Sequence, residues 1–429
     1  MYSFHIINFG CKLNIYEAES MALLLQENGL RKLSLPLKEE PDIVIINTCT
    51  VTGKAEAKCR NSLHKIRRNY PNACIIMCGC MIDKDNVNQL NDADILIENK
   101  HKSQILEIVE LFQNGLITQK PYLFTSSTDG TFAFSTEKML GHSRAFTKIQ
   151  DGCNNFCSYC KIPFARGRSR SRLPKDIIHE VKQFEINGYR EIVLTGINIS
   201  DYLSESLDFA GLLRLLLKET KNVRFRLSSL EPQNLTEDFF EVIKDERICP
   251  HFHMALQSGS SKILKAMNRK YSAEEFLLMV EKIKASKNNP FLSSDLILGF
   301  PGETDEDFLE TQSTLAKAKF SYIHAFAYSP RPGTKAFEMR PKVPERIRDE
   351  RVKIITSMLK NQTKTYAEAF LGETLDVLIE RKVDDLFCGK SENYLDVKIK
   401  SDVALLQKNI YKVKIESVNS DGSVVGILV

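Results

Sequence analysis

Cysteines 153, 157 and 160 stand in the run Gln150-Asp151-Gly152-Cys153-Asn154-Asn155-Phe156-Cys157-Ser158-Tyr159-Cys160, spaced C-x3-C-x2-C. Thiolates select zinc or iron–sulfur clusters. Structural zinc takes four closed ligands, and the nearest downstream histidine is His179. Three ligands without a fourth fit a 4Fe–4S cluster better, with one iron left open to a small molecule. Tight cysteine clusters in a reducing compartment usually mean metal or catalysis.

Three more cysteines follow expected strands. Apolar runs at Phe4 to Asn8, Ile43 to Asn47, Ala73 to Met77 and Ile95 to Glu98, with helical patterns after the first three, predict a parallel α/β layout. Ligands bind at the carboxyl edge of such a sheet. Cys11 follows the first strand in Phe9-Gly10-Cys11-Lys12-Leu13-Asn14, and Cys49 follows the second in Asn47-Thr48-Cys49-Thr50-Val51-Thr52. Cys80 follows the third in Cys78-Gly79-Cys80, so three distant cysteines can converge on one site. Glycines beside Cys11 and Cys80 let backbone approach a bulky inorganic centre. Cys78 competes with Cys80, because strand alternation points both the same way if the strand continues. Cys59, Cys74, Cys249 and Cys388 read as ordinary thiols.

The elements that must position these residues fill a chain of 429 residues, enough for roughly two to four domains. A hydrophobic content of 43% with 27% charged residues is ordinary for a globular protein. Ser3 to Phe9 reads at once as strand, with no basic leader and no apolar run of membrane-spanning length, so a cytoplasmic protein without a membrane partner is expected. Eleven cysteines, an odd number, argue against a disulfide framework. A net charge of +4 does not imply nucleic-acid binding by itself.

Residues 115–145 lose periodicity around Thr125 to Gly130 and read as a linker between a 1–114 domain and a 146–365 core. Strands are expected at Phe146 to Ile149, Glu191 to Thr195, Val223 to Leu230, His251 to Leu256, Phe291 to Leu298 and Tyr322 to Tyr328. Six such units predict an open βα barrel, with chemistry at the strands' carboxyl ends. Gly196, Asn198, Ser229, Glu231, Gln257, Gly299 and Gly302 fall at those ends. A tight strand-to-helix turn accounts equally well for Gly299 or Gly302 taken alone. Residues 366–429 alternate like strands at Glu373 to Glu380, Tyr394 to Lys400, Tyr411 to Val418 and Val424 to Val429, which predicts a small β-barrel.

Directly after Cys160, Lys161, Arg166, Arg168, Arg170, Arg172 and Lys175 occur with no acid among them. A solvated charge run is the alternative, but arginine forks suit phosphate and the run stands beside the cysteines, so Arg166, Arg168, Arg170 and Arg172 are expected to bind RNA. A second basic stretch, Arg340 to Lys353, has acids at helical spacing and reads as surface ion pairing.

The C-x3-C-x2-C run, with Tyr159 before its last cysteine, resembles the radical S-adenosylmethionine enzymes, in which S-adenosylmethionine chelates the open iron. Together with the Cys11, Cys49 and Cys80 motifs, it resembles the methylthiotransferases over essentially the whole chain. The resemblance implies a SAM cluster on Cys153, Cys157 and Cys160, an auxiliary 4Fe–4S cluster on Cys11, Cys49 and Cys80, and SAM contacts from Tyr159 and the strand ends. It favours Cys80 over Cys78. Leu371-Gly372-Glu373-Thr374-Leu375 and Gly389-Lys390-Ser391-Glu392-Asn393-Tyr394 resemble a TRAM domain, although acids such as Asp376 and Asp384 offset its lysines.

An aromatic carbon–hydrogen bond has no accessible acidic proton, so ordinary acid–base catalysis cannot activate it. In the mechanism that the resemblance implies, a 5′-deoxyadenosyl radical does so, the auxiliary cluster supplies sulfur, and a second SAM supplies methyl. Gly10 to Asn14 and Asn47 to Thr52 look most like the branch that modifies carbon 2 of N6-threonylcarbamoyladenosine 37 in tRNA. The isopentenyladenosine branch usually reads Gly-Cys-Gln-Met-Asn, and the branch acting on a ribosomal-protein aspartate reads Gly-Cys-Pro-Lys-Asn. Implied partners are the tRNA anticodon stem-loop and an electron donor such as flavodoxin or ferredoxin. Arg166 and Arg331 are candidates by position for the threonylcarbamoyl carboxylate. The alternatives are the isopentenyladenosine enzyme, or a non-catalytic iron–sulfur carrier or RNA-binding protein, which would not cleave SAM.

Overall fold

The computed structural model describes residues 1–37, 39–50, 52–82 and 87–429; Val51 of the second cysteine motif lies outside them. The chain opens with β1 (Ser3–Asn8), α1 (Lys12–Glu27), β2 (Arg31–Lys32), β3 (Ile43–Thr48), α2 (Gly53–Asn69) and β4 (Cys74–Gly79). It continues with β5 (Ile95–Glu98), α3 (Ile105–Gln113) and β6 (Tyr122–Phe124). The six strands form one parallel sheet in the order β2-β1-β3-β4-β5-β6. Every residue of β3 and β4 is buried, as helices on both faces require. Ile43, Ile45, Ile76 and Cys78 join the larger core, while Val44, Ile46, Ile75 and Met77 join the core on the other face. That alternation puts Cys78 into packing as a small hydrophobe.

Two expectations change. A helix was expected after the third expected strand, but the described part of the β4–β5 connection holds only a 3-10 turn, Val87–Gln89. The regular helix follows β5 instead. The described part carries Asn91 and Asp92, residue types whose side chains compete with a helix for backbone hydrogen bonds. The stretch 115–145 does more than link: β6 pairs with β5, and Phe134, Thr136 and Met139 are buried, with the Tyr189 hydroxyl 2.9 Å from the Met139 amide.

The catalytic region is an arc of parallel strands: Ala145–Lys148, Glu191–Thr195, Arg224–Leu227, Ser229–Leu230, His251–Met254, Phe291–Leu298 and Tyr322–Ala327. The single strand expected over Val223 to Leu230 is interrupted at Ser228, where the arc divides into a three-stranded and a four-stranded sheet. Helices such as Pro174–Ile186 and Phe209–Glu219 connect the strands. Pro174 is pre-set for the first helical turn, and Asp208 caps the second helix by accepting from the Gly211 amide at 2.8 Å.

The C-terminal barrel closes with five strands: Thr374–Val383, Leu386–Ser391, Asp396–Lys400, Ile410–Val418 and Val424–Leu428. Leu386–Ser391 adds a fifth strand to the four expected from the sequence. Gly389 lets two strands close: a Cβ there would lie 2.2 Å from the Leu378 carbonyl. Buried Glu191 bonds Arg224 Nε at 2.8 Å and Arg226 Nε at 2.7 Å. The same guanidinium groups reach over to the Asp376, Ser391 and Glu392 carbonyls and so hold the two barrels together. Among the described residues no helix is long and apolar enough to cross a membrane.

Candidate functional site

Cys153, Cys157 and Cys160 lie on one loop that the surroundings pin at several points. Gly152 has φ +74°, and a Cβ there would meet the Arg168 carbonyl at 2.0 Å, so only glycine fits. Ser158 donates its amide to the Met267 carbonyl at 3.0 Å and its hydroxyl to Ala266 at 2.9 Å. Asn268 Nδ2 donates to the carbonyls of Asn155 and Phe156 at 2.9 and 3.0 Å. Backbone amides of Asn155 and Ile162 point at the Cys153 and Cys160 sulfurs, each at 3.4 Å. Arg269 Nη1 donates to the Cys157 sulfur at 3.2 Å. Burial pushes the Cys153 thiol up to about 11, and burial with the neighbouring Cys157 pushes Cys160 up to about 12. Iron held by these three sulfurs would offset that penalty by binding the thiolates.

Cys11, Cys49 and Cys80 converge at the carboxyl edge of the first sheet. Gly10 (φ +108°) packs so closely that a Cβ would lie 2.9 Å from the Cys49 Cβ. Gly79 (φ +109°) ends β4 against the Thr48 carbonyl, 2.8 Å from a Cβ placed there, so Cys80 leaves the strand line. Cys78 stays in the strand, fully buried, with its sulfur 3.7 Å from Asn47 Oδ1, and burial pushes its thiol up to about 12. Asn14 stitches the edge, donating to Phe9 and Thr48 carbonyls at 2.6 and 2.9 Å.

Between this edge and the barrel lies a buried ionic cluster. Glu17 meets Lys102 at 2.6 Å, Lys148 at 3.0 Å and Arg166 at 3.0 Å; Asp151 meets Lys148 at 2.5 Å and Arg166 at 3.0 Å. Burial pushes Glu17 up, but Arg166, Lys102 and Lys148 outweigh it and hold the carboxyl well below its usual range. Three cations against two carboxylates leave one positive charge. Arg166 Nε, 3.1 Å from the Cys80 sulfur, brings it to the thiol. Burial raises the Cys80 thiol, whereas Arg166 and Lys102 favour the thiolate. Both cysteine sets therefore fit anionic iron–sulfur clusters: three thiols each, with a guanidinium beside one of them. Among the described residues no group of three or more His, Cys, Asp and Glu is placed to hold a single metal ion.

Two arginines expected on RNA are structural instead. Arg166 is 4% exposed and spends its donors on Cys80, Glu17, Asp151 and Asn14. Arg172, also 4% exposed, donates to Glu180 at 2.7 Å. Arg331, the other carboxylate candidate, is held by Glu56 and by Thr50 Oγ1 at 2.9 Å. Arg168 is exposed over the Phe156 ring at 4.3 Å, and Arg170 is partly exposed and paired with Asp129. These two, with Cys80, Lys100, Lys161 and Phe164, border a cavity of about 950 Å³ between the first sheet and the barrel.

Gly196, Asn198 and Glu231 connect to the cysteine loop, through Gln150 and Arg269. Gly196 packs on Gln150, whose Oε1 accepts from the Ile197 and Asn198 amides at 3.0 and 2.9 Å. Asn198 accepts from Ser200 at 2.7 Å, and the Glu231 amide donates to that same hydroxyl at 2.9 Å. Arg269, which the sequence did not single out, ties Glu231 to Cys157. Burial raises Glu231, with Arg269 opposing. Ser229 pairs with His253, and Gln257 (φ +67°) bridges to Asp295 and Ile297. Tyr159 lies edge-on to Phe300 at 6.5 Å. Gly299 (φ +70°) is accounted for by packing, since a Cβ would lie 2.1 Å from Arg348 Cγ, and Gly302 (φ +83°) by its turn.

Comparison with known proteins agrees with this architecture. Residues 147–315 match the Radical SAM superfamily, and residues 3–98 match the Uncharacterized protein family UPF0004. The threonylcarbamoyladenosine tRNA methylthiotransferase MtaB of Treponema pallidum is 34% identical, covering 93% of this chain and 95% of its own. That of Chlamydia pneumoniae is 35% identical, with 98% and 97% covered. The tRNA-2-methylthio-N(6)-dimethylallyladenosine synthase of Acetivibrio thermocellus is 33% identical, with 97% and 90% covered. In fold, the radical S-adenosylmethionine methyltransferase TsrM of Kitasatospora setae, solved with cobalamin and a [4Fe-4S] cluster, superposes with a TM-score of 0.58 at 13% identity, covering 79% of this chain and 77% of its own. One-third identity along nearly the full length of such relatives settles the family: the chain belongs to the radical SAM methylthiotransferases, enzymes that work with S-adenosylmethionine and 4Fe–4S clusters.

Proposed function

We propose that this enzyme adds a methylthio group to carbon 2 of N6-threonylcarbamoyladenosine 37 in tRNA. One observation carries the reading: Arg166, at the end of the short helix that follows Cys160, bonds Cys80, so a single side chain joins the segment after one cysteine set to a member of the other. Cys153, Cys157 and Cys160 hold the SAM cluster, and Cys11, Cys49 and Cys80 hold the auxiliary cluster. When bound, these groups supply one-electron chemistry, sulfur and methyl to an otherwise inert aromatic carbon. The chain's own residues do the rest: Arg269 fixes Glu231 relative to Cys157, and Gln150 orders the Gly196 to Asn198 turn where SAM sits.

The anticodon stem-loop lies along the cavity between the domains. Phe164, 68% exposed, offers a ring to an unstacked base, and Arg168 and Arg170 offer forks to phosphate. The domains follow as 1–114 for the auxiliary cluster, 146–365 for radical chemistry and 366–429 as a TRAM-like RNA-binding barrel. The enzyme works in the cytoplasm with flavodoxin or ferredoxin as electron donor.

Several relatives named for threonylcarbamoyladenosine favour this substrate. Relatives of similar identity named for dimethylallyladenosine keep the isopentenyl substrate as the second reading. Nucleoside mass spectrometry of paired reactions with threonylcarbamoylated and isopentenylated stem-loops separates them. Faster methylthiolation of the isopentenylated loop overturns the first reading.

A further inference from the structure

The inner wall of the catalytic barrel carries side chains that neither cysteine site uses. Along its last strand, Ile323 and Ala325 pack on the main core, while Tyr322, His324 and Phe326 take the opposite face. That face looks into the barrel, because the His324 ring lies 6.2 Å from that of His253, two strands away. Tyr322 meets His324 edge-on at 4.6 Å, and His324 lies within 8° of parallel to Phe326 at 6.2 Å. Tyr322 and Phe326 remain 43% and 46% exposed. An uncovered ladder of rings inside a barrel is a stacking surface for a flat base.

Lys12, the first residue of α1, reaches this space from the other domain. Its Nζ lies 5.9 Å from the Tyr394 ring, which stacks on His251 at 4.0 Å where the fourth barrel unit begins. Its charge is felt by both His251 and His324. Lys102, Lys148, Arg166, Arg172, Arg224, Arg226 and Arg331 each have a carboxylate partner. Lys12 has neither an ion pair nor a hydrogen bond among the described residues. Burial lowers its pKa, Tyr394 opposes, and Arg144 and Arg226 press in the same direction as burial. Arg144 itself keeps a buried Nη1 without a hydrogen bond. Glu191 also acts on Lys12 but spends its oxygens on Arg224 and Arg226, so the Lys12 ammonium is left to pair with an anion that arrives with a base on the exposed rings.

We propose that Lys12 receives the carboxylate of the threonylcarbamoyl group while the modified adenine stacks on the Tyr322, His324 and Phe326 wall, an assignment that rests on the substrate reading above. An isopentenyl chain would leave the ammonium unpaired, which is the kind of mismatch that discriminates strongly.

The test measures anaerobic binding of the cluster-loaded enzyme to two synthetic anticodon stem-loops, one bearing N6-threonylcarbamoyladenosine and one bearing its methyl ester. Wild type is expected to bind the acid roughly tenfold to a hundredfold tighter than the ester. Lys12→Gln is expected to bind both alike, and Lys12→Arg to keep most of the preference. The ratio is internal to each protein, so partial misfolding does not alter it. Lys12→Gln retaining the wild-type ratio overturns Lys12 alone and returns the carboxylate to another cation such as Arg331. Wild type indifferent to the ester overturns this assignment, whereas the substrate reading falls only if the isopentenylated loop is methylthiolated faster. Phe326→Ala is expected to weaken both loops equally, and unchanged binding there overturns the stacking wall.

Discussion

Arg166 Nε donates to the Cys80 sulfur at 3.1 Å across the seam between the first sheet and the catalytic barrel. The residue ends the short helix Ile162–Arg166, two residues past Cys160 at its start, so the loop of one cysteine set and a member of the other are joined by a single side chain. Its remaining donors hold Glu17, Asp151 and Asn14. The same guanidinium thus closes the domain interface and favours the thiolate of Cys80.

Removing it leaves Glu17 and Asp151 to Lys102 and Lys148 and strips the guanidinium bonds to Cys80 and Asn14. Arg166→Gln is expected to cost about 1–3 kcal/mol of stability, the usual penalty for buried polar groups left unsatisfied. Iron retention at the Cys11, Cys49 and Cys80 set should fall with it. Arg166→Lys should restore little, since one ammonium cannot span three acceptors and a sulfur. Urea unfolding with iron analysis checks both, and a wild-type unfolding midpoint in Arg166→Gln would contradict the interface role.

Acid sensitivity follows from Glu17 and Glu191. Burial pushes each carboxyl up, but Arg166, Lys102 and Lys148 at Glu17, and Arg226 and Arg224 at Glu191, hold them below the ordinary range. A depressed folded pKa gives stability that is complete above the unfolded value, about 4.3, and lost as pH falls through the folded value. From pH 7 to 5 these groups should therefore leave stability unchanged, and below about pH 4.5 stability should fall steadily. Urea unfolding of wild type and Glu191→Gln across that range tests the sign; the variant should be weaker at neutral pH and converge toward wild type in acid.

Local spacing made the cysteines legible, and period-two runs made most strands legible. What the sequence hid is tertiary. Arg166 and Arg172 sit in an acid-free run and look solvated, yet their partners Glu17, Asp151 and Glu180 come from other elements. Glu17 carried a faint signal, lying three residues after Asn14 on the helix behind Cys11, but nothing local says that this face meets a second domain. Arg269 and the strand Leu386–Ser391 were invisible for the same reason: one gains its role from Cys157 and Glu231, the other from the carbonyl that only Gly389 can approach.

RNA binding should now divide the arginine segment. Arg168→Gln with Arg170→Gln removes up to two phosphate contacts beside the cavity, so the salt dependence of stem-loop binding should flatten by about 0.7–0.9 log units per contact. SAM cleavage without RNA should persist. Arg172→Gln should leave the slope alone and lower stability, because Arg172 is buried against Glu180. Titrations at several salt concentrations decide; an unchanged slope in the double variant places Arg168 and Arg170 on a merely solvated face.

The two cysteine sets should separate by phenotype, because each hangs on its own scaffold. Cys153→Ala, Cys157→Ala or Cys160→Ala should abolish 5′-deoxyadenosine formation while iron remains at the first sheet. Cys11→Ala, Cys49→Ala or Cys80→Ala should keep that product and lose methylthiolation. Cys78→Ala is the sharper control: its sulfur is buried in the core beside Asn47, while Gly79 turns Cys80 away from the strand toward Arg166. That substitution removes a small packed group at a cost of about 1 kcal/mol and should leave both clusters' iron in place. Anaerobic iron counting with liquid chromatography of the SAM products reads both outcomes, and loss of the auxiliary iron in Cys78→Ala with retention in Cys80→Ala would reverse the ligand assignment.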